Sequence, residues 1–328
     1  MMDRNTRRLI LLAVSWTFGT ANVHAQDEVF SPSVAHDIDK KIQDFVQQRH
    51  VVGLSAAIAN SSGNVWISHY GTSDIENGVA VEEKTVFRIP SIAKVITATA
   101  TMQLAEGHKL DLDAPIQKYC PAFPEKQWPI TARQLLAHTS GVRHYKNVEE
   151  VRSATHYHTV QESLDFFKAH PLEVKPDIRF GYTTFGYSVL GCAIEGAAGT
   201  DFERYLRDHI FSPAGMSDTQ VDDVQRIVHR RARGYRLLDD GTLANAWPVD
   251  TSNKIPGGGL VSTAADLVKF AVAFRADKLV ASSTRAVMWS LQPIANGQTP
   301  MGLGWGLIFD HSRLRAVFFG LYLVPSTR

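Results

Sequence analysis

Ser91 and Lys94 stand three residues apart in Ile89-Pro90-Ser91-Ile92-Ala93-Lys94-Val95-Ile96, a spacing that puts both side chains on one face of a helix. A lysine beside a serine hydroxyl offers one chemistry in particular. With its pKa lowered by burial, the amine takes the hydroxyl proton and leaves a nucleophile. The surrounding residues favour burial: from Ala93 to Glu106 apolar and small side chains face nearly every direction, and Gly107 ends the run. That is the pattern of a helix enclosed on all sides. Pro90 marks the start, because a proline cannot sit comfortably inside a helix. Ser91 would then meet unpaired N–H groups and the positive end of the helix dipole. The same tetrad also describes a serine N-cap followed by a solvated lysine. The rest of the chain has to choose between them.

Three other groups invite a chemical reading. His138, at the end of the short run Ala132 to Ala137, stands beside Thr139-Ser140-Gly141, where a histidine more commonly hydrogen-bonds its own turn. The chain has no G-x-S-x-G elbow to supply a Ser-His-Asp triad. His156 and His158 form an H-x-H pair, but no carboxylate or third histidine follows at ligand spacing, so no metal and no cofactor are expected. Pro256-Gly257-Gly258-Gly259 lacks the Lys-Ser/Thr of a phosphate loop; its glycines are expected to let backbone pass close to something. Tyr182, in Phe180-Gly181-Tyr182-Thr183-Thr184-Phe185-Gly186-Tyr187, precedes a helix running to Gly199 and could be held rigidly in a cleft with Thr184 beside it. It could equally be a core aromatic among Phe180, Phe185 and Tyr187.

The elements that must position these residues follow from periodicity. Val34, Ile38, Ile42, Phe45 and Val46 have the spacing of an amphipathic helix. Leu54 to Ala59 and Asn64 to Tyr70 read as strands of a hairpin turned at Asn60-Ser61-Ser62-Gly63. Thr131 and Asp201 look like caps of helices, and Thr263-x-x-Asp266 opens another towards Phe274. A helix, a hairpin and then a buried helix predict an antiparallel sheet covered by helices.

Composition sets the bounds. With 328 residues, 44% hydrophobic and 20% charged, the chain suits one large domain or two intimately packed lobes. A net charge of +1 gives no reason to expect nucleic acid as a partner. Arg4, Arg7 and Arg8 precede an apolar stretch from Leu9 to about Ala21, and Val23-His24-Ala25 offers small residues for cleavage. Residues 1–25 are therefore expected to be a signal peptide, with no transmembrane span beyond it. Cleavage there would remove Arg4, Arg7, Arg8 and Asp3, taking the net charge from +1 to −1. Cys120 and Cys192 are the only cysteines; with Cys192 in an apolar helical run, a buried free thiol is expected and no bridge.

Taken together, these pieces resemble the penicillin-recognising serine hydrolases, which include class C β-lactamases, DD-peptidases, related esterases and a mitochondrial β-lactamase-like branch. Ser91-Ile92-Ala93-Lys94 matches the S-x-x-K element and Tyr182-Thr183-Thr184 the Y-x-N/S/T element. Leu135-Leu136-Ala137-His138-Thr139-Ser140-Gly141, Gly257-Gly258-Gly259-Leu260-Val261-Ser262-Thr263 and Gly302-Leu303-Gly304-Trp305-Gly306 add support. The wording around Ile130 to Tyr145 and Asn253 to Thr263 is nearest the mitochondrial-type branch.

The resemblance implies an α+β fold, an antiparallel sheet flanked by helices plus an all-helical lobe, with the site in the cleft between them. The sheet lobe would take in about 34–90 and 255–328, and the helical lobe about 91–254. It implies catalysis by Ser91, Lys94 and Tyr182 through an acyl-enzyme, with Lys94 or Tyr182 as base, the tyrosine pKa lowered by the lysine, and Thr184 contacting substrate. The substrate would be a β-lactam, a D-amino-acid peptide or a related amide or ester. The location would be exported, periplasmic or secreted. One element departs from the family. A K/H-T/S-G tripeptide is expected roughly ten to twenty residues after Gly306 by analogy. The chain instead reads Leu314-Arg315-Ala316-Val317-Phe318-Phe319-Gly320-Leu321-Tyr322 there, with His311-Ser312-Arg313 the nearest match. The last strands and C-terminal helix of relatives are thus expected to be missing. The alternative is a catalytically impaired relative that acts as a binding protein.

Overall fold

A computed structural model describes residues 10–15, 31–60, 63–310 and 313–322. Most of the expected leader lies outside these residues, as do Ser61 and Ser62 of the hairpin turn and His311 and Ser312.

The first long helix, α1 (Pro32–Gln48), is capped by Ser31, whose hydroxyl accepts the Val34 N–H. It lies along the strand Val65–Asp74, held by Asp39, which accepts hydrogen bonds from Ser68 and Tyr70. Val65–Asp74 pairs antiparallel with Gly53–Ala59, Leu54 opposite Tyr70 and Ala59 opposite Val65, which is the expected hairpin.

The buried helix α2 (Ala93–Glu106) forms the centre of the molecule, with eleven of its fourteen residues buried. Three threonines would be out of place there without partners. Thr99 and Thr101 donate to the carbonyls of Val95 and Thr97 within the helix, and Thr97 donates to Pro256 O, so none of these three hydroxyls is left unpaired. Two further helices flank the site, α3 (Ala132–Leu136) and α4 (Phe185–Ala198). The first is closed by a full capping box in which Thr131 Oγ1 accepts from Gln134 N and Gln134 Oε1 accepts from Thr131 N. Thr131→Ala is expected to lower stability by about 1 kcal/mol in a urea titration.

A three-stranded ladder runs beside the start of α2. Leu260–Ser262 is its middle strand, between Phe87–Arg88 and Gln220–Val221. Buried Asp222 clamps this edge, 2.6 Å from Arg88 Nε and 3.2 Å from an Arg231 terminal nitrogen. The helix α5 (Ala264–Arg275) begins at Thr263, whose hydroxyl accepts the Asp266 N–H, and covers Gly53–Ala59.

Gly306–Asp310 and Arg313–Tyr322 form another antiparallel ladder, and Arg313–Tyr322 passes beside the Pro90–Ile92 turn. This is the strand position where the resemblance leads one to look for K/H-T/S-G. Ile10–Ser15 pairs with the other edge of Arg313–Tyr322, Ile10 opposite Tyr322 and Ser15 opposite Val317. That segment falls inside the expected leader; cleavage after Ala25 would remove it and leave the Arg313–Tyr322 edge without this partner. Among the described residues, no helix is long and apolar enough to cross a membrane.

The cysteine expectation is corrected. Cys120 and Cys192 are joined in a disulfide, and both are buried. The turn holding Cys120 packs backbone-first on α4, so closely that a Cβ on Gly196 would fall 1.9 Å from Tyr119 O. A residue with a side chain could not occupy that position without moving the turn away. The sequence placed Cys192 on a buried helix and Cys120 in a loop. Their meeting depends on a contact across 72 residues of chain, which local patterns do not carry.

Candidate active site

Pro90–Ile92 is a 3-10 turn that runs directly into α2. Ser91, half-buried, lies on this turn, and Lys94 follows inside the helix with no exposed surface. Lys94 Nζ is 3.2 Å from Ser91 Oγ, 3.3 Å from Thr184 Oγ1 and hydrogen-bonded to Gly257 O. Gly257 must be glycine for this approach, since a Cβ there would come within 2.7 Å of Thr184 Cγ2 and 2.8 Å of Thr184 O. The expectation that these glycines let backbone pass closely is met, and what passes is the Tyr182–Thr184 loop.

Burial pushes the Lys94 pKa well below 10.5, and the charge of Lys254 pushes it further in the same direction. Among the described residues no carboxylate is paired with it. An unpaired ammonium in such a place is far costlier than a neutral amine.

Tyr182 also reaches Ser91, its hydroxyl 2.7 Å from Ser91 Oγ. The three groups singled out in the sequence, together with Thr184, therefore meet although Ser91 and Tyr182 are 91 residues apart. One sequence expectation is reversed. The Tyr182 pKa is pushed up to about 12 by burial, with the Ser91 hydrogen bond opposing only in part. The expected lowering by a lysine charge requires a charged lysine, and burial favours the neutral one.

What aims Tyr182 is a pair of imidazoles. Nδ1 of His138 accepts the Thr183 N–H at 3.1 Å, and Nδ1 of His144 accepts the Thr184 N–H at 3.2 Å. His138 also packs its ring 4.4 Å from that of Tyr182. An imidazole accepting at Nδ1 carries its proton on Nε2. Both are held neutral by burial, His138 well below 6.5 and His144 at about 4. His138 thus supports the Tyr182–Thr184 loop, 45 residues along the chain, and not its own Thr-Ser-Gly turn as its neighbours led one to expect. His144 went unremarked in the sequence, and its one signal is its place three residues after the Thr-Ser-Gly turn.

Thr184 is buried, and its hydroxyl faces inward, between Lys94 and the phenol of Tyr145. His156 Nδ1 bonds Asp250 Oδ2 at 2.8 Å, and His158 stacks edge-on against it. Among the described residues no group of three or more His, Cys, Asp or Glu side chains is placed to hold a metal ion. An open cleft of about 230 Å³ lies against the Tyr182 loop, walled by Gly141, Val142, His144, Val174, Gly181 and Tyr182, with Glu173 and Arg179 as its charged members.

Comparison with known proteins identifies relatives of this chain. The profile of the family described as Beta-lactamase matches residues 38–320. The human mitochondrial serine beta-lactamase-like protein LACTB is 30% identical over 286 residues, covering 66% of this chain and 52% of its own length. Penicillin-binding protein 4 of Amycolatopsis lactamdurans is 28% identical over 273 residues, covering 79% of this chain and 71% of its own. The chain spans about half the length of the first curated relatives it matches. Among solved structures, a penicillin binding protein from Bacillus halodurans superposes with a TM-score of 0.71 at 25% identity, over 85% of this chain and 84% of that one. The D-amino acid amidase of Ochrobactrum anthropi SV3 complexed with D-phenylalanine gives 0.73 at 25% identity, over 88% and 91%.

Proposed function

This chain belongs to the beta-lactamase family, and on that premise we propose that it is an exported serine hydrolase acting through an acyl-enzyme on β-lactams, D-amino-acid peptides or related amides and esters. Serine hydrolysis in general, on an α+β scaffold of the β-lactamase/DD-peptidase kind, comes with the family and its structural neighbours. The observation that carries the finer reading is the position of Ser91 Oγ, between a buried Lys94 amine and the Tyr182 hydroxyl.

A neutral Lys94 has two N–H groups and one lone pair. The N–H groups suit Gly257 O and Thr184 Oγ1, and the lone pair suits the Ser91 O–H. Lys94 is then the base: it takes the Ser91 proton as Oγ attacks the substrate carbonyl. The backbone N–H of Ser91, on the Pro90–Ile92 turn that leads into α2, is a donor available to the developing oxyanion. Tyr182 stays protonated, donates to the leaving nitrogen or oxygen and regains a proton from the Lys94 ammonium. Water repeats the attack on the acyl-enzyme and frees Ser91. Thr184 and Gly257 position the amine rather than touch the substrate.

Export is supported by the Cys120–Cys192 bridge, since disulfides persist in oxidising compartments. Neighbours whose names concern penicillins and D-amino acid amides support the substrate classes proposed. A substrate of either kind presents a carbonyl for one serine to attack.

The test is intact-mass spectrometry of the chain after incubation with a fluorescent penicillin, with the adduct mapped to the peptide carrying Ser91, across a range of pH. Acylation is expected at a plateau above the lowered pKa of Lys94, falling as the pH drops through it, because protonation removes the base. A rate that instead keeps climbing towards pH 12 assigns the base to Tyr182. Folded protein that forms no adduct at any pH rejects the proposal; retained affinity for the penicillin would then favour a binding protein.

A further inference from the structure

We propose that Lys254 is a positioning residue for the Ser91 reaction, its buried ammonium holding Lys94 in the uncharged form from across the Tyr145–Thr184 pair. The role rests on the acyl-enzyme reading, while the electrostatic link between the two lysines can be measured without it.

Lys254 is 8% exposed. Its Nζ donates to Val151 O at 2.9 Å and stands 5.4 Å from the centre of the Tyr145 ring. The Tyr145 phenol lies beside the Thr184 hydroxyl, and Thr184 Oγ1 is 3.3 Å from Lys94 Nζ. A second connection runs through the backbone. Gly257, three residues after Lys254, supplies the carbonyl that accepts from Lys94, and Pro256 supplies the one that accepts from Thr97 on the same helix. One turn thus carries both a cation and the acceptor that orients the base.

Two buried amines near each other do not hold two protons equally well. Like charge and shared burial force one of them to give up its proton first, and the surroundings decide which. Asp250 and Asp222 both favour the charged form of Lys254, against burial and the nearby Arg88. Asp250 is bonded to His156, and Asp222 to Arg88 and Arg231. The balance leaves Lys254 at about 8, charged at neutral pH. Lys94 has no such support. It faces the rings of Tyr182 and Tyr187 and the hydroxyls of Ser91 and Thr184. His138 and His144 nearby are neutral, and Arg143 beyond them is paired with Glu150 at 2.8 Å. The charge that bears on Lys94 is that of Lys254.

A purely structural lysine, present for its Val151 bond and its packing on Tyr145, would lack this influence. The experiment is an NMR titration of the full chain labelled with ε-carbon-13 lysine, with the Lys94 signal assigned through Lys94→Arg. In Lys254→Met and Lys254→Gln the Lys94 midpoint is expected to rise by about one unit, and in Lys254→Arg to stay at the parent value. The acid limb of Ser91 labelling by a fluorophosphonate should move with it, so that labelling at a pH on that limb falls about tenfold. A Lys94 midpoint unmoved in the folded neutral variants, or moved as far by arginine as by methionine, overturns the proposal. So does a parent titration in which Lys254 loses its proton before Lys94, which needs no variant at all. A chain whose Ser91 never labels refutes the hydrolase reading, and the midpoints still decide whether the two lysines are linked.

Discussion

Ser91→Ala is expected to abolish covalent capture of a fluorescent penicillin or a fluorophosphonate and to cut turnover of any amide or ester the parent hydrolyses by about 10⁴-fold or more. The size follows from the chemistry. Without the hydroxyl no acyl-enzyme forms at this position, and the other hydroxyl beside Lys94, Thr184 Oγ1 at 3.3 Å, is buried. Lys94→Met should lose about as much, because the three groups act as a unit and removing any member disables the others. Tyr182→Phe is the informative partner in this set. It keeps the ring against His138 and removes only the hydroxyl 2.7 Å from Ser91. Burst kinetics on these variants separate the steps. If Ser91→Ala retains parental turnover, the nucleophile lies elsewhere and the site assignment fails.

Breaking the Cys120–Cys192 bridge is expected to lower stability by about 4 kcal/mol, on the loop-closure account of a disulfide spanning 72 residues. The bridge ties the turn after Ile116–Lys118 to the middle of α4, the helix that follows the Tyr182–Thr184 loop. The paired variant Cys120→Ser with Cys192→Ser, compared with the oxidised parent in urea, measures the effect. Molecules that stay folded should still label at Ser91, because neither sulfur touches the site. A reduced protein as stable as the oxidised one would show that packing between Gly196 and Tyr119 alone holds the turn.

The two histidines and the second lysine show where sequence reasoning stops. His138 and His144 accept the N–H groups of Thr183 and Thr184, contacts that span about forty residues of chain. Neither histidine has a local pattern that names its partner. Lys254 reads as a lysine before a glycine-rich turn and nothing more until Tyr145 and Thr184 are seen between it and Lys94. The inward-facing hydroxyl of Thr184 was also beyond reach, since the matching motif told only which residue stood there. In contrast, the caps at Thr131, Asp201 and Thr263 were legible because a cap is made within four residues of chain.

By itself the sequence determined what is short-range: the enclosed character of α2, the Ser91–Lys94 spacing, the hairpin from Gly53 to Asp74 and the family whose motifs the chain carries. Tertiary structure decided the charges and the long-range meetings. Whether Lys94 is an amine or an ammonium, and whether Tyr182 is pushed up or down, depends on how much water is excluded around them and which charges remain near. Whether Cys120 meets Cys192 depends on a turn and a helix packing backbone to backbone. Burial and proximity are properties of the folded whole, and no window of the chain contains them.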